Sequence, residues 1–181
     1  MKKYTIVGIG ELLFDVFPDR KALGGAPTNF AYHCQQLGHE AYSISAIGRD
    51  ALGAEIKDQL HARGLQTILQ ENEHPTGTVL VTLSEGGVPS YEISEGVACD
   101  YIEYTDQLEA LARHTDAVCF GSLAQRSPRS ASTIQRFLEA MPTGSLRSFD
   151  INIRLHYYTY EIVHASLEHA DLLKLNDEEV P

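Results

Sequence analysis

A carboxylate at Asp15, a glycine pair at Gly24-Gly25 and an amide at Asn29 follow one another closely near the start of the chain. A carboxylate accepts two hydroxyl hydrogen bonds, an amide both donates and accepts, and paired glycines let backbone approach a ligand where a side chain would collide. The glycines run straight into a predicted helix that carries Asn29 in its first turn, so a polar group sits at a helix opening. Together these residue types suit a small polyhydroxylated molecule. A second glycine-bracketed acidic turn, Ile47-Gly48-Arg49-Asp50-Ala51-Leu52-Gly53, opens the next helix. Further polar signals stand at Asp150-Ile151-Asn152-Ile153-Arg154 and at Asn176-Asp177-Glu178-Glu179. Each has an ordinary reading as well. Asp50 serves as a helix cap, Tyr91 as a cross-strand packing residue, and the acidic run after Asn176 as a first helical turn.

These groups need elements that bring them together. Tyr4–Ile9 reads as a buried strand and Leu12–Phe17 as an extended run ending at Pro18, before a turn-rich segment. A helix is predicted from Pro27 to Leu37, with Phe30, Ala31, Cys34 and Leu37 on one face and Gly38 as its stop. Strand Ala41–Ile47, a helix from the Asp50 cap to Arg63, and a short strand Thr67–Leu69 follow. Thr78–Leu83 and Ser90–Ser94 flank a Gly86-Gly87 turn and read as a hairpin. The alternation then returns: a helix to Arg113 opened by an Asp106/Glu109 capping pair, strand Ala117–Phe120, and helix Ser127–Ala140 with Ile134, Phe137 and Leu138 inward. Strand Leu146–Asp150, helix Thr159–His169 and strand Asp171–Leu175 complete the series, and Asn176 starts a turn into a further helix. Short apolar strands alternating with amphipathic helices give an α/β fold, a mostly parallel sheet covered by helices, with a small antiparallel accessory element. In such sheets ligands bind beyond the carboxyl ends of the strands, which is where Asp15, Gly24-Gly25 and Asn29, the Gly48–Gly53 turn, Asp150–Arg154 and Asn176–Glu179 fall.

Composition narrows the classes. The 181 residues are 43% hydrophobic and 22% charged, and the formal net charge is −11. That size suits one domain or one domain with an appendage, and that charge, without any Lys/Arg run, argues against a nucleic-acid partner. An anion could bind only at a local site made from helix N-termini and single arginines. The apolar start is broken by Glu11 and Asp15, so no signal peptide or membrane span is read. Cys34, Cys99 and Cys119 are an odd number without a CxxC pattern, and the eight histidines lack metal-ligand spacing. Both observations suit a reduced, cytoplasmic protein.

The ordered set of motifs resembles the amino-terminal portion of the ribokinase (PfkB) family of carbohydrate kinases, fructokinase-like members especially. The resemblance rests on Gly10-Glu11-Leu12-Leu13-Phe14-Asp15, on Gly24-Gly25-Ala26-Pro27-Thr28-Asn29-Phe30-Ala31, and on Ile47-Gly48-Arg49-Asp50-Ala51-Leu52-Gly53. Phe149-Asp150-Ile151-Asn152-Ile153-Arg154 and Asn176-Asp177-Glu178-Glu179 complete it, so that it covers essentially the whole chain. It implies a ribokinase-like fold over residues 1–181, with β-lid strands at about 12–17 and 76–95. It also implies ATP-dependent phosphorylation of a sugar hydroxyl, with ATP and Mg2+ as cofactors. The substrate contacts implied are Asp15, Gly24, Gly25, Asn29, Asp50 and Tyr91. Arg154 is implied as a phosphate contact, and Asn176 and Glu179 as organisers of nucleotide phosphate and magnesium, Glu179 indirectly through water. In several members the lid also forms a dimer contact, which makes a homodimer through the lid an expectation here.

One departure qualifies this. The family's Gly-Ala-Gly-Asp turn, which supplies the anion hole and the base aspartate and normally lies well beyond Asn-x-x-Glu, occurs nowhere in these 181 residues. The expectation is therefore a chain truncated at Pro181, before the nucleotide-binding half, with the base aspartate expected beyond Pro181 and no catalytic base of its own. Such a chain is inactive or nearly so alone, and prone to self-association at an unpaired edge near Leu172–Leu175. The alternatives are a non-catalytic sugar-binding or regulatory relic and a nucleoside kinase of the same family.

Overall fold

The computed structural model describes residues 2–83 and 89–180. The chain enters through β1 (Thr5–Ile9), β2 (Leu13–Val16) and β3 (Lys21–Gly24), then α1 (Ala26–Gln36), β4 (Glu40–Gly48), α2 (Ala51–Ala62) and β5 (Gln66–Asn72). β6 (Gly77–Leu83) and β7 (Pro89–Ile93) follow, then α3 (Asp106–Ala112), β8 (Ala117–Gly121) and α4 (Pro128–Ala140). β9 (Leu146–Asp150), α5 (Tyr160–His169) and β10 (Leu172–Lys174) end the regular elements.

Two sheets result. The larger has the order β10-β9-β8-β1-β4-β5 and is parallel throughout. Its strands alternate between two covering layers. Val7 and Ile9 of β1 join Leu108, Ile134, Phe137 and Phe149 in one core. Ile6 joins Phe14, Ala31, Ile56 and Leu60 in the other. The chain passes from β1 to β4 and β5 on one side and returns to β8 on the other, so the carboxyl ends around β1 and β8 form the crevice such sheets use for ligands. The second sheet, β3-β2-β6-β7, is mixed: β2 pairs antiparallel with β3 and parallel with β6, and β6 pairs antiparallel with β7. The predicted fold class agrees with this arrangement.

Several local expectations need correction. The turn-rich segment after Pro18 contains β3, a short strand whose largely exposed Lys21 and Ala22 disguise it. β5 is longer than Thr67–Leu69 because β4 offers it seven paired positions, from Gln66 to Asn72. Leu37 is 67% exposed rather than inward, because α1 ends at Gln36 and buries Pro27, Thr28 and Ala31 instead. α3 is capped by Thr105, whose hydroxyl accepts the Leu108 N–H at 3.3 Å, not by an Asp106/Glu109 pair. Asn176 opens a 3-10 turn, Asp177–Glu179, within the described residues. The Gly86-Gly87 turn of the predicted hairpin, with Val88, lies outside the described residues. Pro181 lies outside them as well, so the expectation of a base aspartate beyond Pro181 concerns residues that this structure does not contain. Asp50 and Gly64 act as read: Asp50 Oδ1 accepts the Gly53 N–H at 2.8 Å, and Gly64 follows α2 in the left-handed region with φ 68°. Among the described residues no helix is long and apolar enough to cross a membrane.

Candidate functional site

β1 is followed by Gly10 and Glu11, and the chain turns into β2, which carries Asp15. β3 returns antiparallel to β2 and delivers Gly24-Gly25 to the start of α1. Close packing shapes this turn. Gly25 has φ 121°, and a Cβ there would stand 2.3 Å from the Glu11 carbonyl oxygen; a Cβ on Gly24 would stand 2.7 Å from Asp15 Oδ2. Gly25 is therefore required both by contact with backbone and by conformation, whereas a side chain at Gly24 would have to displace the Asp15 carboxylate.

Beyond the strand ends lies a cavity of about 470 Å³, within the range of small-molecule sites. Asp15, Gly24, Gly25 and Asn29 line it from one side. Val79, Val81, Tyr91 and Ile93 line it from the second sheet; the β6–β7 register sets Val81 opposite Tyr91 and Val79 opposite Ile93, which puts them on one face. Asp150, Asn152, Arg154 and Lys174 complete the wall. Tyr91 is 48% exposed, so its ring edges the opening. Asn152 and Leu155 take the left-handed conformation, at φ 39° and 50°, in the loop that carries Arg154. Only asparagine does so readily, and such strain concentrates at functional loops.

The charges here are unevenly satisfied. Burial raises the Asp15 carboxyl above its ordinary range, and Arg154 opposes that rise. Arg154 is exposed and forms no ion pair among the described residues. Lys174 Nζ lies 3.0 Å from Asp150 Oδ1. Glu11 stands at the floor, 4% exposed, with Oε1 accepting the Ala26 N–H at 3.2 Å. Burial pushes its carboxyl up to about 7, with Asp150 adding to the rise and the backbone N–H groups and Arg154 opposing it.

The sequence-predicted residues thus divide. Asp15, Gly24, Gly25, Asn29, Tyr91 and Arg154 share one cavity. Asp50 does not line it. Its carboxylate is engaged by Gly53 N–H (2.8 Å), Thr76 N–H (2.8 Å) and the Thr76 hydroxyl (2.7 Å). Burial alone would raise its pKa, but these donors outweigh it and hold the carboxyl low. Asn176 and Glu179 do not line the cavity either. Asn176 Oδ1 accepts from Glu178 and Glu179 N–H, both at 3.0 Å, while Glu179 accepts from Ile153 N–H at 2.6 Å and Asn176 N–H at 2.9 Å. The pair thereby clamps the loop between β9 and Arg154.

Sequence reasoning missed Glu11 as a site residue. Its signal is a lone acid inside Ile9-Gly10-Glu11-Leu12-Leu13-Phe14, where only a buried position explains such neighbours. It also missed the Arg126–Asp100 pair under the second sheet, with Nε–Oδ1 at 2.8 Å and Nη2–Oδ2 at 2.9 Å; Nη2 also donates to the Ser94 carbonyl at 2.7 Å.

Comparison with known proteins gives this geometry a family. The pfkB family carbohydrate kinase pattern matches residues 9–180, and the chain belongs to that family. A putative sugar kinase, PH1459, of Pyrococcus horikoshii is 29% identical over 194 residues, covering 97% of this chain and 62% of the relative. Probable fructokinase-5 of Arabidopsis thaliana is 26% identical over 196 residues, covering 97% of this chain and 60% of the relative. The chain therefore spans about three-fifths of the length of these relatives. The crystal structure of PH1459 superposes with a TM-score of 0.85 at 28% identity over 97% of this chain and 64% of that one, and PH1459 has also been solved in complex with ATP. Fructokinase from Xylella fastidiosa with bound ATP has a TM-score of 0.85 at 21% identity, covering 98% of this chain and 63% of that one, a likeness of fold. The fold is ribokinase-like, as the resemblance implied.

Proposed function

We propose that this chain forms the acceptor-binding part of an ATP-dependent carbohydrate kinase of fructokinase type, with the second sheet as the lid over the sugar. The observation that carries the reading is the single cavity in which Asp15, the Gly24-Gly25 turn and Asn29 face Tyr91 and an arginine that has no ion-pair partner among the described residues. Asp15 accepts hydroxyls, Asn29 donates and accepts, and the apolar face of Val79, Val81 and Ile93 excludes water when the lid lies over a ligand. On this reading the catalytic base and the anion hole belong to the part of the relatives' length beyond Pro181.

The residues present fit ATP in one respect: Arg154 is a cation at the cavity, with no ion-pair partner among the described residues, and could meet a transferred phosphate. Magnesium, when bound, would neutralise phosphate charge. Asn176 and Glu179 would act on it only through its water shell, since their facing oxygens already take the N–H groups of the 3-10 turn and of Ile153. Asp50 would contribute by holding the lid's central strand, because Thr76, which it binds, leads into β6.

Calorimetry with D-fructose, with and without Mg-ATP, tests the reading. Saturable fructose binding that Asp15→Asn weakens supports it. Absence of fructose binding at millimolar concentration sinks it. Fructose binding that Mg-ATP leaves unchanged, with no phosphorylated product in a coupled assay, favours the non-catalytic binder.

A further inference from the structure

Glu11 is the buried titratable group on which the proposed acceptor site is built. Its Oε1 bonds the first amide of α1, and its own carbonyl oxygen presses on Gly25. Its Oε2 is buried and has no hydrogen-bond partner among the described residues. A Cβ on Gly121 would stand 3.9 Å from that oxygen, which places it between the ends of β1 and β8, at the crevice.

The charged groups around it offer no committed counter-ion among the described residues. From β9 comes Asp150, a like charge whose Oδ1 is buried beside Lys174 of β10. From β2 comes Asp15, another acid on the same cavity. Arg154, in the loop after β9, is exposed. Asp100, in a separate 3-10 turn at Ala98–Tyr101, is held by Arg126, and the Cys99 and Cys119 thiols that sense Glu11 are pushed up to about 12 by burial and stay neutral.

We propose that Glu11 is a positioning residue whose proton is linked to acceptor binding: the cavity accepts a polyol with Glu11 neutral, and ionisation of Glu11 opposes occupancy. This rests on the carbohydrate reading given above. A polyol displaces water from the cavity and brings no charge. An ionised Glu11 beneath it would keep only backbone N–H groups, that of Ala26 at 3.2 Å and its own, as direct partners among the described residues. A buried charge so poorly compensated is costly. The neutral acid keeps the Ala26 bond on Oε1 and makes Oε2–H a donor. Burial already pushes the free carboxyl up to about 7, so occupancy raises it further and binding above that pH takes up part of a proton per ligand, about half at most for a rise of about one unit. The effect reaches the ligand through the Gly24-Gly25-Ala26 turn and Asn29, which Glu11 holds in place.

The experiment is calorimetric titration of the whole chain with D-fructose from pH 6 to 8.5, repeated at pH 8 in buffers of different ionisation enthalpy. The expected result is net proton uptake at pH 8 and a loss of affinity of about fivefold or more over the range, since a carboxyl pKa that rises by about one on binding sets a limit of roughly tenfold. Glu11→Gln, which cannot ionise, is expected to bind with one affinity at both ends of the range and to take up no proton. Fructose binding by the wild type with no proton uptake and a flat profile overturns the linkage alone. Unaltered uptake in Glu11→Gln overturns it too, because the proton then belongs elsewhere. No fructose binding by either protein at pH 6 overturns the carbohydrate reading and the linkage together. The buffer comparison on the wild type stands even if the variant does not fold.

Discussion

Glu11 makes a second prediction that needs no ligand. In an unfolded chain its carboxyl titrates near 4.5, whereas in the fold it titrates at about 7. The folded state therefore binds more protons between these values, and stability falls as pH rises across that window. The loss is about 3 kcal/mol when complete, at about 1.36 kcal/mol for each pH unit that separates the two values. Chemical denaturation of the wild type and Glu11→Gln at pH 4.5 and pH 8 should show the variant gaining on the wild type by that order at the higher pH. An equal difference at both values would place Glu11 in a better-solvated setting than the cavity floor provides. Gly25 is a test of shape rather than charge. Gly25→Ala forces a side chain into φ 121° and against the Glu11 carbonyl. It should cost roughly 1–3 kcal/mol in denaturation and abolish fructose binding. Asp15→Asn keeps the shape and removes the charge. It should weaken fructose binding by about tenfold with little change in stability, and unchanged affinity would remove Asp15 from the site.

At the scale of elements, Asp50 links three segments: the end of β4, the first turn of α2 and the approach to β6. Thr76 takes part three times, giving its N–H and its hydroxyl to Asp50 at 2.8 and 2.7 Å and accepting the Gly48 N–H at 3.0 Å. Asp50→Ala removes a helix cap and strands the Thr76 amide, so a loss of about 1–3 kcal/mol is expected in thermal or chemical unfolding. Fructose affinity should fall much less than with Asp15→Asn. The reverse ranking would move Asp50 into the cavity. Asp50 also shows where sequence reading reaches its limit. A glycine-bracketed acid at a helix start signals both a cap and a ligand contact, and only the position of Thr76, far along the chain, decides how the carboxylate is used. The strands of the large sheet were legible because buried parallel strands are continuous apolar runs, as in Val7-Gly8-Ile9 and Val118-Cys119-Phe120. β3 was not, because an edge strand with Lys21 and Ala22 exposed carries little apolar pattern. Glu11 was hidden for the opposite reason: its type says surface, and only its neighbours say floor. Arg154 was readable as to position, but that it stands at the cavity without an ion pair among the described residues is a fact of three dimensions.

For the whole molecule, the decisive asymmetry lies between the two edges of the large sheet. β5 forms one edge with seven residues paired to β4, and its Glu71 is tied to Lys57 of α2 at 2.8 Å. β10, at the other edge, is three residues long and exposed throughout, with Leu172 at 47% and Leu173 and Leu175 also exposed. Tyr160 and Leu167 of α5 and Val180 extend the apolar surface nearby in the chain. A free parallel edge flanked by leucines is a template for association, and the net charge of −11 opposes association only at long range. The 181-residue chain should therefore associate with itself in a concentration-dependent way, more strongly as salt screens its charge. Sedimentation velocity over a tenfold concentration range, at low and moderate salt, measures this. Leu172→Lys with Leu173→Glu should restore a monomer without altering the cavity, which lies beyond the strand ends and takes only Lys174 from β10. If the doubly substituted chain still dimerises while substitutions on the outer face of the second sheet, at Leu80 and Glu92, abolish the dimer, the contact lies on the lid. Self-association would then run through the lid, the contact the resemblance implies from several members, and the exposed edge of β10 would have to be tolerated by its shortness alone.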